Sequence, residues 1–252
     1  MFRKQRRDAP PGFFRCEAAG LAWLAAARAA PVVRVLAVGD DHLDLERLTA
    51  VSPTRDAARA FGARLARVHA AGARAFGAPP DGWTGDGFFG PLEAPVTLRS
   101  GDYATWGRFL AECRIAPLAQ SLATSSDHDL LRALDELAAE LAAGRWDDDE
   151  PPARLHGDLW SGNVVWTAAG ATLIDPAAHG GHRETDLAML ALFGFPHLDA
   201  VLSSYDDELP LRAGWRGRVP LHQVYPVGVH ALLFGGHYHE QLASLLQRLV
   251  GR

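Results

Sequence analysis

The sequence predicts an α+β protein of two unequal lobes, a small N-terminal one that contains strands and a larger C-terminal one that is mostly helical. Three observations lead there. Two short aliphatic and β-branched runs, "VVRVLAV" (32–38) and "HLDLERL" (42–48), meet at Gly39-Asp40-Asp41 and read as a hairpin. Beyond Ser52-Pro53 the apolar residues recur at helical spacing. One further hairpin, at 163–175, interrupts the helical part. With 252 residues the chain is long enough for both lobes and a cleft between them, divided at 1–50 and 51–252.

Each element has a local reason. Residues 13–29 follow Pro10-Pro11-Gly12 and set Phe14, Ala18, Leu21 and Leu24 on one face, which predicts a helix. After the first hairpin, "RDAARAFGARLARVHAAG" (55–72) aligns Ala58, Phe61, Leu65 and Val68 in one stripe, a second helix. Residues 73–101 are rich in Gly and Pro and read as a long irregular connection, of a length that is often functional in compact domains. Helices are expected at 102–122 and 127–143, followed by an acidic break at 145–152. "NVVWTAAGATLID" (163–175) reads as two strands turning at Ala168-Ala169-Gly170. From Glu184 to the end the pattern is helical again, with loops at Phe195-Pro196 and 206–217.

Composition narrows the function. A formal charge of −5 argues against a dedicated nucleic-acid binder, and the short basic run "FRKQRR" (2–7) reads as a solvated strand end. Cys16 and Cys113 have no zinc spacing and cannot make a disulfide framework. The N-terminus has no apolar signal core, and the longest apolar stretch, 224–236, is too short for a bilayer. A cytoplasmic protein without membrane or nucleic-acid partners is the plain expectation.

The chemistry concentrates in "LHGDLWSGN" (155–163) and in "LID" (173–175). Phosphoryl transfer needs a carboxylate to orient the attacking hydroxyl and take its proton, together with ligands for Mg²⁺ on the nucleotide phosphates. Kinases place these on an H-x-D-x-x-x-x-N loop, with a second Asp beyond a short hairpin. His156, Asp158 and Asn163 fit the loop, and Asp175 fits the second Asp. The 12 residues from Asn163 to Asp175 suit a hairpin that returns the chain beside the loop. Asp and Asn oxygens are what a hard cation such as Mg²⁺ prefers. An isolated H-x-D is usually a surface turn; the ordered set is far more specific.

"LHGDLWSGN" followed by "LIDPAAHGGHRETDLAMLALFG" resembles the fructosamine kinase (ketosamine-3-kinase) family, part of the two-lobed protein-kinase-like fold shared with aminoglycoside phosphotransferases and choline kinases. The resemblance implies an ATP- and Mg²⁺-dependent enzyme that phosphorylates the 3-hydroxyl of a ketosamine or other glycated amine. Because such 3-phosphates shed the amine, it also implies a deglycation role. It makes Asp158 the base, and Asn163 and Asp175 the Mg²⁺ ligands. Trp160 would lie beside the substrate, or simply anchor the loop. Asp186 would hydrogen-bond the catalytic-loop backbone and His156 would brace it. Leu45–Leu48 matches the adenine hinge, with Glu46 and Leu48 as its cofactor-binding positions; an ordinary edge strand with a solvated Glu46 is the alternative. Trp106, Phe109 and Arg114 match a family helix, or are core packing with a paired Arg. His230, His237 and His239 could hold a metal, but scattered helix histidines are more often plain polar positions. Pro176-Ala177 after the second Asp, in place of Phe-Gly, points to a small-molecule kinase. An aminoglycoside-type phosphotransferase and a non-catalytic kinase-like binding protein are the alternatives.

The same resemblance pairs Lys4 with Glu17 as the phosphate-contacting lysine and its partner. The chain would then begin at the third strand of the small lobe, without the first two strands and the Gly-rich loop. Lys4 would sit on an edge strand prone to fraying.

Overall fold

The computed structural model describes residues 1–123 and 127–249. A three-stranded antiparallel sheet in the order β1-β3-β2 opens the chain, built from β1 (Phe2–Gln5), β2 (Val35–Val38) and β3 (His42–Leu45). Helix α1 (Phe13–Ala26) packs on it and buries Phe13, Phe14 and Leu21 against Val33, Leu43 and Leu45. The expected hairpin is therefore present but shorter than its sequence runs. Residues 31–33 leave β2 to pair elsewhere: Val33 N–H donates to Leu173 O (3.0 Å) and Leu173 N–H donates to Pro31 O (2.9 Å). That exchange ties the small sheet to the second hairpin.

Helix α2 (Arg55–Ala70) follows, with Thr54 accepting the Ala57 N–H at its N-terminus (3.2 Å). The predicted stripe of Ala58, Phe61, Leu65 and Val68 is buried. A Cβ on Gly62 would lie 2.1 Å from Val201 O, so α2 meets α7 (Leu198–Glu208) backbone to backbone.

The 73–101 segment is not wholly irregular. Residues Gly87–Phe89 (β4) and Val96–Leu98 (β5) form a small antiparallel hairpin, with Phe88 paired to Thr97. Only three residues pair on each side, too few for alternation to show in the sequence. Phe88 and Leu92 cover the N-terminal cluster, while Phe89 and Leu98 pack with Met189 and Val229 of the helical part.

The expected helix at 102–122 begins at Trp106. It runs as α3 (Trp106–Leu110), a π-helical turn (Ala111–Ile115) and α4 (Ala116–Leu122). The turn places Arg114 inside, 4.6 Å above the Phe109 ring and bonded to Arg99 O (2.7 Å). With α5 (His128–Ala142), α8 (Trp215–Phe234) and α9 (His237–Leu249) these segments close the largest apolar cluster, around Leu134, Leu137, Val224 and Leu246. Beyond α9, residues 250–252 of the expected C-terminal helix lie outside the described residues.

Two antiparallel pairs frame the motif region. β6 (Ala153–Leu155) pairs with β9 (His179–Gly181), and β7 (Val164–Thr167) pairs with β8 (Gly170–Leu173). The β7–β8 hairpin is the one expected at 163–175. The outer pair is only three residues long and has no strand signature, since His179-Gly180-Gly181 reads as a turn. Helix α6 (Glu184–Leu192) then starts beneath the loop. Among the described residues, no helix is long and apolar enough to cross a membrane.

Candidate active site

The catalytic-type loop spans the gap between β6 and β7, and Ile174–Ala178 spans the gap between β8 and β9. Crossed hydrogen bonds keep the two adjacent: His156 Nε2 donates to Ile174 O (2.9 Å), and Ile174 N–H donates to Asn163 O (3.1 Å). The other nitrogen of His156, Nδ1, accepts the Asp158 N–H at 3.3 Å, which sets the tautomer. His156 is fully buried, and burial lowers its pKa, so it braces the loop as a neutral ring.

Beneath it lies Asp186, completely buried near the start of α6. Its carboxylate accepts the backbone N–H of His156 (2.8 Å) and of Gly157 (2.9 Å), and faces His69 Nε2 at 3.1 Å. Burial pushes its pKa up, but the His69 hydrogen bond and the Gly157 N–H outweigh it and hold Asp186 below the ordinary carboxylate range. His69 is fixed in turn by Tyr205 OH at 2.7 Å. These two residues had no motif to announce them; only the packing of α2 and α7 under the loop brings them there.

Gly157 is required by geometry. Its φ is +83°, and a Cβ would fall 2.1 Å from Ala177 O. Gly157→Ala is expected to displace the loop and lower kcat about 100-fold, with circular dichroism unchanged; undiminished turnover would show that the loop tolerates the shift.

Asp158 and Asn163 face one another at the end of the loop. Asn163 Nδ2 donates to Asp158 Oδ2 (2.9 Å) and to Asp158 O (2.8 Å). With its amide nitrogen so engaged, Asn163 leaves Oδ1 as the atom free to meet a cation. Burial, opposed by the Asn163 hydrogen bond but reinforced by Asp175 and Asp186, pushes Asp158 up to about 7. Asp175 has the left-handed φ of 52°, uncommon for a residue with a side chain. In this conformation its Oδ1 lies 3.1 Å from Lys4 Nζ.

Lys4 comes from β1, where it pairs with Leu43 at the sheet edge. Its ammonium bonds both Glu17 oxygens, at 2.9 and 2.8 Å. Burial favours the neutral amine, but the carboxylates of Glu17 and Asp175 outweigh it and keep Lys4 above its ordinary pKa. Burial, countered by Lys4 and then aided by Asp175, drives Glu17 upward. The edge lysine is thus held by two carboxylates from two other parts of the chain.

Lys4, Glu17, Asp158, Asn163, Asp175 and Trp160 all line one cavity of about 590 Å³ between the small sheet and the helical part. Glu46 and Leu48 do not. Glu46 turns toward Arg34: its Oε1 accepts the Arg34 N–H and its own N–H donates to Arg34 O, both at 2.9 Å. Leu48 packs against the N-terminal apolar cluster. Residues the motif reading did not place there complete the walls: Phe88–Leu92 from the β4–β5 hairpin, and Phe193, His230, Phe234 and Tyr238 from the helical part.

The donor set of Asn163 Oδ1 and the Asp175 carboxylate, open to the cavity, fits a hard divalent cation such as Mg²⁺. A second cluster does not behave as a metal centre. His182, Glu184 and His222 bring ligand atoms within 4.8 Å of one another. However, Arg218 already bonds both Glu184 oxygens (2.9 and 2.5 Å), and His182 accepts the Glu184 N–H (3.2 Å) while facing Asp148 (3.3 Å). The guanidinium takes the place a cation would need.

Fold and site together define the class, a phosphotransferase with the two-lobed kinase-like fold. Comparison with known proteins agrees. The family model described as Fructosamine kinase matches residues 1–252. A Thermobifida fusca "putative fructosamine-3-kinase" of known structure superposes with a TM-score of 0.89 at 43% identity, covering 100% of this chain and 85% of that one. A Thermus thermophilus "Probable ketoamine kinase" is 34% identical over 236 residues, 93% of this chain and 82% of its own length. A Vibrio parahaemolyticus "Probable ketoamine kinase" is 33% identical over 197 residues, 75% of this chain and 62% of its own length. The chain belongs to the fructosamine kinase family.

Proposed function

We propose that this chain is an ATP- and Mg²⁺-dependent kinase that phosphorylates the 3-hydroxyl of a ketosamine, a fructosamine or ribulosamine, and so serves deglycation. The observation that carries the reading is the convergence of Asp158, Asn163, Asp175 and Lys4 on one cavity, in a chain of this family. Asp158 orients the acceptor hydroxyl and takes its proton as the sugar O–P bond forms and the bond from the γ-phosphorus to the ADP oxygen breaks. A pKa near 7 suits that exchange at neutral pH. Lys4, released from Asp175 toward the nucleotide phosphates but still held by Glu17, supplies positive charge to them. When bound, Mg²⁺ neutralises phosphate charge; Asn163 Oδ1 and Asp175 would hold it.

A coupled ADP-release assay with Mg²⁺-ATP and a fructose- or ribulose-lysine adduct tests the reading. Turnover supports it; silence with ketosamines but turnover of another hydroxylated acceptor moves the chain to an aminoglycoside-type reaction. Silence with every acceptor would favour a binding protein. Asp175→Ala is expected to weaken Mg²⁺-nucleotide binding at least about 10-fold, read by calorimetry. Unchanged affinity would remove Asp175 from the metal.

A further inference from the structure

Lys4 is the only lysine among the 25 Lys and Arg residues of the chain. Its closest tie is Glu17 on α1, and two separate sets of contacts hold that helix. At the C-terminal end, Arg154 Nη1 donates to Trp23 O (2.6 Å), and Trp23 and Leu24 pack with Val68 of α2. The end nearer Glu17 is held by the 73–101 segment instead. The Trp83 ring covers Gly12, the residue before α1, where a Cβ would lie 2.5 Å from Trp83 Cη2. The Phe88 ring stands 5.1 Å from that of Phe13, which lies one helical turn before Glu17 on the same face. Arg6, two residues beyond Lys4, donates through Nη1 to Leu92 O. Residues 83–92 thus tie both α1 and the end of β1. The same segment is rooted in the helical part of the molecule. Phe89 and Leu98 pack with Met189 and Val229, Gly77 N–H donates to Gly180 O (2.7 Å), and Gly180 N–H donates to Ala78 O (2.8 Å).

Resting on the reading above that gives Lys4 to the nucleotide phosphates, we propose that residues 83–92 are a strap that positions the transfer centre from outside it. Trp83 and Arg6 are then positioning residues, acting through Glu17 and Lys4. Once Asp175 turns to a cation, Glu17 is the carboxylate left to Lys4, so the place of the ammonium follows the place of α1. A helix anchored at one end swings about that end; the strap fastens the other and removes the motion. Small displacements of a group that contacts the phosphates are costly, because phosphoryl transfer depends almost entirely on positioning and charge. Phe88 lines the cavity and could meet a ligand directly, whereas neither Trp83 nor Arg6 lines it. An effect of Trp83 or Arg6 on nucleotide binding therefore has to pass through α1 or β1.

The test uses Trp83→Ala and Arg6→Met, both at half-buried positions, with Trp83→Phe as the milder change should the Ala variant not fold. Because there is one lysine, trace acetylation followed by mass spectrometry reads the protection of its amine directly, and calorimetry reads Mg²⁺-ATP affinity. Acetylation of Lys4 is expected to be about 10-fold faster in both variants than in the wild type, since an amine loosened from its carboxylates gives up its proton more readily. The Kd for Mg²⁺-ATP should rise about 10-fold. In a Glu17→Gln background, Trp83→Ala should change that Kd by less than about two-fold, because the route through which it acts is already cut. Unchanged acetylation of Lys4 in both variants, or an undiminished effect of Trp83→Ala beside Glu17→Gln, would overturn the strap. Faster acetylation with Mg²⁺-ATP affinity unmoved would instead bring down the phosphate role of Lys4 and leave the strap standing.

Discussion

Replacing Asp158 by Asn is expected to lower kcat about 10²–10⁴-fold while leaving Mg²⁺-nucleotide affinity near the wild-type value, the range for loss of a positioned general base. Asn keeps the volume and can still accept the Asn163 Nδ2 hydrogen bond now 2.9 Å long, so the loop has little reason to move. What it loses is the capacity to accept the hydroxyl proton. The pH dependence gives an independent check. With Asp158 pushed up to about 7, kcat/KM in the wild type should rise with pH and level off above that value, and the step should vanish from the residual activity of the variant. Stability works the other way. A carboxyl raised in the folded state binds its proton more tightly there than in the unfolded chain, where the pKa is about 3.9. Folding therefore weakens as pH rises from that value to about 7, and is flat above it. Asp158→Asn removes the loss, so the inactive variant should melt no lower than the wild type at pH 8. A melting temperature well below wild type, or turnover that survives, would remove Asp158 from the role.

Asp186→Asn is expected to be the most destabilising of the changes considered, at about 3 kcal/mol. Two backbone N–H groups and a histidine nitrogen converge on this carboxylate in a fully buried position. The amide offers one acceptor oxygen and turns N–H donors toward the rest of the set, leaving a buried donor facing a donor. For a chain of this size the loss corresponds to a fall of roughly 6–12 °C in melting temperature. Because the native pKa of Asp186 is depressed, the wild type gains from it above the unfolded pKa and loses that gain as pH falls through the lower native value. The difference between wild type and variant should therefore narrow in acid. Thermal unfolding across pH measures both effects; a variant as stable as the wild type would show that the loop is held by other contacts. Turnover should fall as well, since His156 and Gly157 set the position of Asp158.

Much of this molecule is legible in the order of its residues. Helical stripes such as Ala58, Phe61, Leu65 and Val68 are visible because one face of a helix is buried over several turns, long enough for the period to emerge. The loop pattern is visible because His156, Asp158 and Asn163 lie on one short segment, with Asp175 returned beside them by one hairpin. Lys4 and Glu17 can be paired only through the family resemblance, since no local rule links an edge strand to a helix 13 residues away.

The strands of β4, β5, β6 and β9 are hidden for the opposite reason. Each is three residues long and held by its neighbours, so no period or propensity could mark it. His69 and Tyr205 beneath Asp186, and the rings of Phe193, Phe234 and Tyr238 around the cavity mouth, come from elements far apart in the chain. Which side chains can take part in phosphoryl transfer is a matter of residue type and local spacing, and the sequence carries that directly. Which groups hold them in place, and which line the rest of the cavity, depends on how helices and hairpins pack on one another, because burial and contact between distant segments exist only once the chain is folded.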